Sequence, residues 1–519
     1  MKWARAAKFA ALFVFGGAIV ADAQDVSLTS QDGKIEITGD LLGFDGEFYR
    51  VDTIYGELTV DGSGVVCSGP GCPDLENYVA RLSFSGAPVV GRVLMPALLE
   101  AYASRNDLEL MRDDLVGGQT LYGLSAKEDN RLLAEFTFHL TNTDEGFADL
   151  LANEADVVMA AREVRPQERD RARERGLGDL KGQGRSRVIA LDALVPVVAP
   201  ENPVQDLTPT QLSRVLAGEI TNWQDLGGVD APIDLHIRDS ESGLGQATFD
   251  QLLVPVAQDL RAEIYRHANN QSLAEAVAAG SFALGITSRS ELGDSQELGL
   301  SGECGFSMKA SRTAMKTEDY PLTAPLFLYF PARRLPKVGR EFVNFLSEPS
   351  AQLIIRRAGF VDQSPEEIAI NAQGDRFANA IARAGSEVSL KELQRMVDVL
   401  TPLKRLSTTF RFEAGSSRLD AQSRSNVLQL AHAMEAGRYD ARRLVFVGFS
   451  DGDGGAAANR SIAMRRATAV RQAVLSAAET ADLKNIELET EAFGEALPMA
   501  CDNSSWGRQI NRRVEVWVR

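Results

Sequence analysis

The chain has 519 residues, 44% hydrophobic and 24% charged, the composition of a folded protein with a sizeable core and room for about three to four domains. Its 55 Lys and Arg against 72 Asp and Glu give a net charge of −17, which argues against nucleic acid as a partner. Four His and four Cys leave little for a large metal system, and no metal or cofactor is expected.

The chain opens as an export signal, residues 1–23. Lys2, Arg5 and Lys8 make a basic start, and Ala10 to Val20 is an apolar run too short to span a bilayer comfortably. Ala21-Asp22-Ala23 fits a small-x-small cleavage site, predicting a mature start at Gln24. Export implies an oxidising compartment, so a disulfide is expected between Cys67 and Cys72, which flank the turn-forming Ser-Gly-Pro-Gly. Cys304 and Cys501 could pair as well; their spacing does not decide it.

Residues 24–78 read as a small β module. Val26–Thr29, Lys34–Thr38, Phe48–Val51 and Gly56–Val60 alternate in polarity and are separated by Gly and Asp turns. No chemistry-bearing cluster stands out in this stretch.

Residues 79–363 alternate strands and helices, predicting an α/β domain of two lobes with largely parallel sheets. A helix is expected over Val89–Ser104, and strands over Asp156–Ala160, Val188–Leu191 and Leu194–Val198. Arg238-Asp239-Ser240-Glu241-Ser242-Gly243 precedes a helical run, Ala247 to Leu253. Ser242 and the N–H groups near Gly243 can face an anion and Arg238 can add charge, although an ordinary helix cap explains the serine equally well. The segment Leu207-Thr208-Pro209-Thr210-Gln211-Leu212, followed by Leu216 to Gly227 with Gly218-Glu219-Ile220-Thr221-Asn222-Trp223, resembles the periplasmic phosphate-binding proteins of ABC importers. Gly91 to Tyr102, Gly146 to Val164 and Leu273 to Ile286 fit the same layout. The resemblance implies two lobes joined by crossover strands, with a small anion such as phosphate in the cleft and an ABC importer as partner.

Several ligand positions depart from that pattern. Leu244 replaces a threonine, Gly86-Ala87-Pro88-Val89 replaces a hydroxyl-bearing loop, Ala161 replaces a serine, and Asp144 and Glu145 bring carboxylates. A buried phosphate needs nearly every oxygen satisfied, so these losses should cost several kcal/mol and point to a different small anion. Arg238, Ser242 and Gly243 remain as candidate anion ligands.

Residues 364–406 read as a mainly helical connector, with Leu390, Leu393, Met396, Val397 and Leu400 at amphipathic spacing. Residues 407–519 predict a further α/β domain with 15 Arg and Lys against 14 Asp and Glu; 14 of those cations are Arg, the residue suited to bidentate contact with carboxylates. The strand Leu444–Val447 runs into the Gly-rich stretch Gly448–Gly455, and Asn459 is expected to cap the helix that follows. Asp451 in the loop and Arg466 on the helix could converge on a zwitterion, or could form an ordinary salt bridge.

The flanking motifs resemble the OmpA-like peptidoglycan-binding domain: Gly448-Phe449-Ser450-Asp451, Asn459, Ile462-Ala463-Met464-Arg465-Arg466-Ala467, and Gly507-Arg508-Gln509-Ile510-Asn511-Arg512-Arg513-Val514. That resemblance implies that Asp451 and Arg466 grip the diaminopimelate side chain of the wall peptide. The expected function is therefore a periplasmic solute-binding protein tethered without covalent attachment to peptidoglycan, at the cell wall or outer membrane. The alternative is a wall-bound scaffold whose cleft no longer holds phosphate. Catalysis is not expected: Asp144, Glu145 and Glu163 offer carboxylates, but no Ser-His-Asp set, metal cluster or P-loop accompanies them.

Overall fold

The computed structural model describes residues 25–519 except 183, 303–306, 386 and 414–415. The export signal and Cys304 lie outside the described residues. The chain divides into two compact units, one ending at Tyr78 and the other running from Val79 to Arg519. No helix among the described residues is long and apolar enough to cross a membrane.

The first unit is a five-stranded antiparallel sheet of Val26–Ser30, Glu36–Phe44, Phe48–Thr53, Gly56–Asp61 and Val65–Ser68, with the fifth strand paired to the first. Alternation puts Val26, Leu28, Tyr49 and Val51 in a small shared core. Cys67 and Cys72 are joined by a disulfide, Cα to Cα 5.9 Å.

In the second unit, the central domain is built on one long mixed sheet. Parallel pairs join Ala80–Gly86 to Val157–Ala160 and Leu132–Leu140 in the first lobe, and Asp234–Arg238 to Ala283–Ser288 and Tyr265–His267 in the second. The remaining pairings are antiparallel, including the hairpin Leu108–Asp114 with Gln119–Ala126. The sheet is thus less parallel than the alternation of elements suggests, because hairpins and hinge strands need no helical crossover.

The two apolar runs expected as separate strands form a single strand, Ser186–Val198. Its first half pairs with Thr323–Tyr329 and its second with Ala283–Ser288, so this strand passes from one lobe to the other. Asp192, between the two expected runs, is buried and satisfied in place: it accepts from the Ala193 N–H at 2.8 Å and from the Ser288 and Ser290 hydroxyls.

The C-terminal sheet runs Glu367–Ile368, Lys404–Arg411, Arg513–Val518, Arg442–Phe449, Ile486–Gly494. Along Arg442–Phe449, Leu444 and Phe446 face the helices Ala421–Glu435 and Ala456–Ala477. Val445, Val447 and Phe449 face Gly374–Arg383 and Leu390–Leu400. A strand covered on both faces reads as a continuous apolar run. The helical segment after residue 364 is therefore one of this domain's two layers, rather than a free linker.

The C-terminal domain docks on the central one through buried charge. Both oxygens of Asp319 accept from Arg405, at 2.6 and 3.0 Å, and Arg411 pairs with Glu318. Trp506 donates its indole N–H to the Gln251 carbonyl at 3.0 Å.

Candidate functional site

Two arrangements carry the residues singled out above. In the C-terminal domain, the strand Arg442–Phe449 delivers the chain into the loop Ser450–Gly455 and then the helix Ala456–Ala477. Gly448 is dictated by packing, since a Cβ there would lie 2.1 Å from the Ala463 carbonyl oxygen of that helix. The helix is capped by Gly455. Asn459, expected as the cap, sits inside the first turn, buried, and its amide donates to the Gly454 carbonyl and to Glu495 at 2.6 Å. Asp502 fixes the loop from the other side by accepting from the Gly452 N–H at 2.8 Å.

Asp451 at the head of this loop is bonded to Arg512 at 2.6 Å, its side chain 13% exposed. Arg466 lies half-buried with its guanidinium 5.0 Å from the centre of the Phe412 ring. Burial, followed by repulsion from Arg512, lowers the Arg466 pKa, while Asp451 acts in the opposite sense. The three groups therefore share one electrostatic neighbourhood with two cations and one anion. Such a set can take an ammonium at the carboxylate and a carboxylate at the arginines. The hydroxyl of the adjacent Ser450 is buried and makes no hydrogen bond among the described residues. Arg512 was not singled out as a site residue; its place in the Asn511-Arg512-Arg513 motif was the available signal. Its neighbours Asn511 and Arg513 are fully buried and structural, the first bonded to the Met499 and Ala500 backbone, the second stacked on Phe449 at 4.3 Å.

The second arrangement lies between the lobes. Ser242 caps the short helix Gly243–Thr248, accepting from the Gly245 N–H at 3.0 Å and donating to the Asp239 carbonyl at 2.6 Å. Gly243 meets the other lobe so closely that a Cβ would stand 2.5 Å from Ala161 Cβ. Arg238 donates to the carbonyls of His267 and Ala268 and to Asn270, and it has no carboxylate partner among the described residues. Burial lowers its pKa, offset by the more distant Asp239 and Glu291.

Asp144, on the opposite lobe, is taken up by two arginines the sequence reading had not assigned. Arg162 is buried and bonds Asp144, Glu168 and the Gln246 amide oxygen at 3.1 Å; Arg165 reaches Asp144 and both oxygens of Asp250. Gln246 in turn donates to Asp144 at 2.9 Å. Burial opposes the charge on Arg162, but Glu168 and Asp144 outweigh it and raise its pKa.

With this geometry in view, residues 133–349 match the model of the PBP superfamily domain and residues 411–512 that of the OmpA family. The chain joins a PBP superfamily domain to an OmpA family domain. The phosphate-binding protein PstS of Borreliella burgdorferi is 25% identical over 188 residues, 35% of this chain and 67% of the relative. That of Bacillus subtilis is 25% identical over 285 residues, 53% and 90% of the two chains. Among solved structures, an ABC-type phosphate transport receptor from Vibrio cholerae is 21% identical with a TM-score of 0.42, over 54% of this chain and 99% of that one. The peptidoglycan-associated lipoprotein of Burkholderia pseudomallei is 21% identical with a TM-score of 0.19, over 21% of this chain and 89% of that one.

Proposed function

We propose that the protein is a solute-binding protein of the cell envelope, tethered without covalent attachment to peptidoglycan. The OmpA family domain holds the diaminopimelate-containing peptide, with Asp451 taking its ammonium and Arg466, joined by Arg512, its carboxylate. The observation that carries this reading is the Asp451–Arg512 ion pair at the head of the loop that leads into the helix bearing Arg466, whose pKa both groups perturb. The test is co-sedimentation of the protein with purified sacculi. Asp451→Ala and Arg466→Ala should each weaken retention about tenfold or more, the effect of losing one charged hydrogen-bond partner. Equal retention of both variants and wild type would reject the assignment.

In the PBP superfamily domain, Arg238 and the backbone N–H groups near Gly243, in the turn that Ser242 caps, serve a small anion that is not phosphate, delivered to an ABC importer. Support for an anion comes from Arg238, a half-buried cation satisfied only by neutral oxygens. Support against phosphate comes from the hydroxyl that Ser242 already spends as a cap and from the lobe contact at Gly243. A second reading, a wall-bound scaffold with an empty cleft, is favoured by one specific observation: Arg162, Gln246, Asp144, Arg165 and Asp250 bridge the lobes with the protein's own groups. A calorimetric screen of phosphate, sulfate and small carboxylates separates the two, since the scaffold binds none.

A further inference from the structure

A cavity of about 510 Å3 opens where the lobes meet the OmpA family domain. Its lining includes Ala161 and Arg162, at the contact between the lobes, and Glu318, Tyr320, Arg411, Asp420, Gln422 and Trp506. Four of the last six residues belong to the C-terminal domain: Arg411 on the strand Lys404–Arg411, Asp420 and Gln422 at the start of the helix Ala421–Glu435, and Trp506 in the helix Ser505–Asn511. This part of the lining is thus a product of the fusion.

The cations facing the cavity are already engaged. Arg162 and Arg165 are held by Asp144, Glu168 and Asp250, and Arg411 by Glu318 and the carbonyls of Gln509 and Ile510. The carboxylates are less well matched. Asp420 accepts from the Ser423 N–H at 2.8 Å and has no cation partner among the described residues. Glu318 is buried, 3.3 Å from Arg411 and 3.1 Å from the Asn426 amide. Burial and then Asp420 push the Glu318 pKa well up; burial, with Glu163 acting in the same sense, raises that of Asp420. A cation placed between them would relieve both.

An independent observation points to an acceptor. Gln422 is only 6% exposed, lines this cavity, and its Nε2 is enclosed without a hydrogen-bond partner among the described residues. A buried amide donor left unpaired is costly and calls for an oxygen. The polar atoms of the two aromatic walls are spent elsewhere, Tyr320 on the Leu194 carbonyl and Trp506 on that of Gln251, so their rings supply apolar surface only.

We infer that this interdomain cavity binds a small molecule carrying a protonated primary amine next to a carbonyl oxygen, the pattern of a free amino acid or of the N-terminus of a short peptide. The ammonium is held by Asp420 and Glu318 and the oxygen by Gln422 Nε2. The volume lies within the range of small-molecule sites.

The test is calorimetry on the full chain with alanine, alanylalanine and N-acetyl-alanylalanine. Saturable binding of alanine or of alanylalanine is expected, and which of the two binds distinguishes amino acid from peptide. The acetylated probe, lacking the ammonium, should not bind. Asp420→Asn keeps the helix cap while removing the charge, and Gln422→Met keeps the volume while removing the donor. Each should weaken binding about tenfold or more, with circular dichroism unchanged. Arg238→Ala and Asp451→Ala should bind as wild type, which separates this site from both sites proposed above. Absence of binding by both free-amine probes at millimolar concentration, equal binding of the acetylated probe, or wild-type affinity in both cavity variants would overturn the inference.

Discussion

Glu515→Gln should be among the most destabilising single changes in the C-terminal domain. The carboxylate is fully buried on the strand Arg513–Val518. One oxygen meets Arg376 at 2.5 Å and Arg513 at 2.7 Å; the other meets Arg405 at 3.3 Å and the Trp517 indole at 3.1 Å. Asp319, donated by the central domain, is the second anion of this network, so three arginines share two carboxylates. Burial alone would raise the Glu515 pKa, yet Arg376, Arg405 and Arg513 hold it well below the usual carboxylate range. Burial and its fellow arginines pull Arg513 down to about 9, with Glu515 opposing. Removing the charge leaves one carboxylate for three enclosed guanidinium groups. Breaking a buried pair costs about 3–5 kcal/mol, which lowers the melting temperature by roughly 6–20 °C at about 2–4 °C per kcal/mol. Differential scanning calorimetry measures it. Because the folded pKa is depressed, the stabilisation is fully present above the ordinary glutamate pKa and is lost as pH falls below it. The gap between wild type and variant should therefore be constant from about pH 6 to 8 and shrink on acidification toward pH 3. Glu489→Gln, at a pair about one-third exposed on the same sheet, should cost under about 1 kcal/mol. A Glu515→Gln shift no larger than that of Glu489→Gln would refute the reasoning.

Three further outcomes follow. Arg512→Ala should weaken retention on sacculi to a degree comparable with Arg466→Ala, because both cations share the neighbourhood of Asp451; wild-type retention would restrict Arg512 to holding that carboxylate in place. Phosphate should show no sub-micromolar binding to the full chain by calorimetry, and a saturable sub-micromolar signal abolished by Arg238→Ala would show that the cleft keeps phosphate after all. Replacing both Cys67 and Cys72 by Ser should destabilise the N-terminal module by about 2 kcal/mol, the chain-entropy value for so short a loop, measured by urea denaturation; an unchanged midpoint would contradict it.

The legible parts of the fold were those whose physics is local. Four of the five N-terminal strands follow from alternation around Val26, Leu28, Tyr49 and Val51, and the disulfide from two cysteines beside a turn; the fifth strand, Val65–Ser68, is too short to show a pattern of its own. The strand Ser186–Val198 shows in the sequence as two apolar runs, Val188–Leu191 and Leu194–Val198, on either side of Asp192; the serines that satisfy this carboxylate stand nearly a hundred residues later. The segment after residue 364 showed its amphipathic spacing, but a spacing does not say which surface it covers, here the second face of the sheet that carries Val445 and Val447. At the proposed sites, Asp451 and Arg466 stand out in the sequence through motif spacing. Arg165, Gln246 and Asp250 carry no motif; their significance lies in meeting across the cleft, which only the tertiary fold creates.

That meeting has a measurable consequence for cleft opening. Arg165 and Asp250, each about one-third exposed, form an ion pair in which one guanidinium nitrogen reaches both carboxylate oxygens, worth about 0.5–1 kcal/mol. Gln246 is buried and bridges two charged groups, Arg162 and Asp144, and hydrogen bonds to charged groups contribute about 1.5–3 kcal/mol. Arg165→Ala with Gln246→Ala should therefore shift the balance toward separated lobes by about 2–4 kcal/mol, a factor of roughly 30–1000. Hydrogen–deuterium exchange with mass spectrometry reads this as faster exchange in the helix Gly243–Thr248 and in the turn around Ala161, which face each other across the lobe contact. The helix Ser505–Asn511, which carries the Trp506 anchor, should keep its protection, which separates cleft opening from general unfolding. If Gly243–Thr248 exchanges as in wild type, these side chains do not hold the cleft shut and the contact between Gly243 and Ala161 is sustained by packing alone. Faster exchange at the cleft, joined by any gain in anion affinity, would instead show that the protein's own arginines and carboxylates compete with a ligand for the space between the lobes.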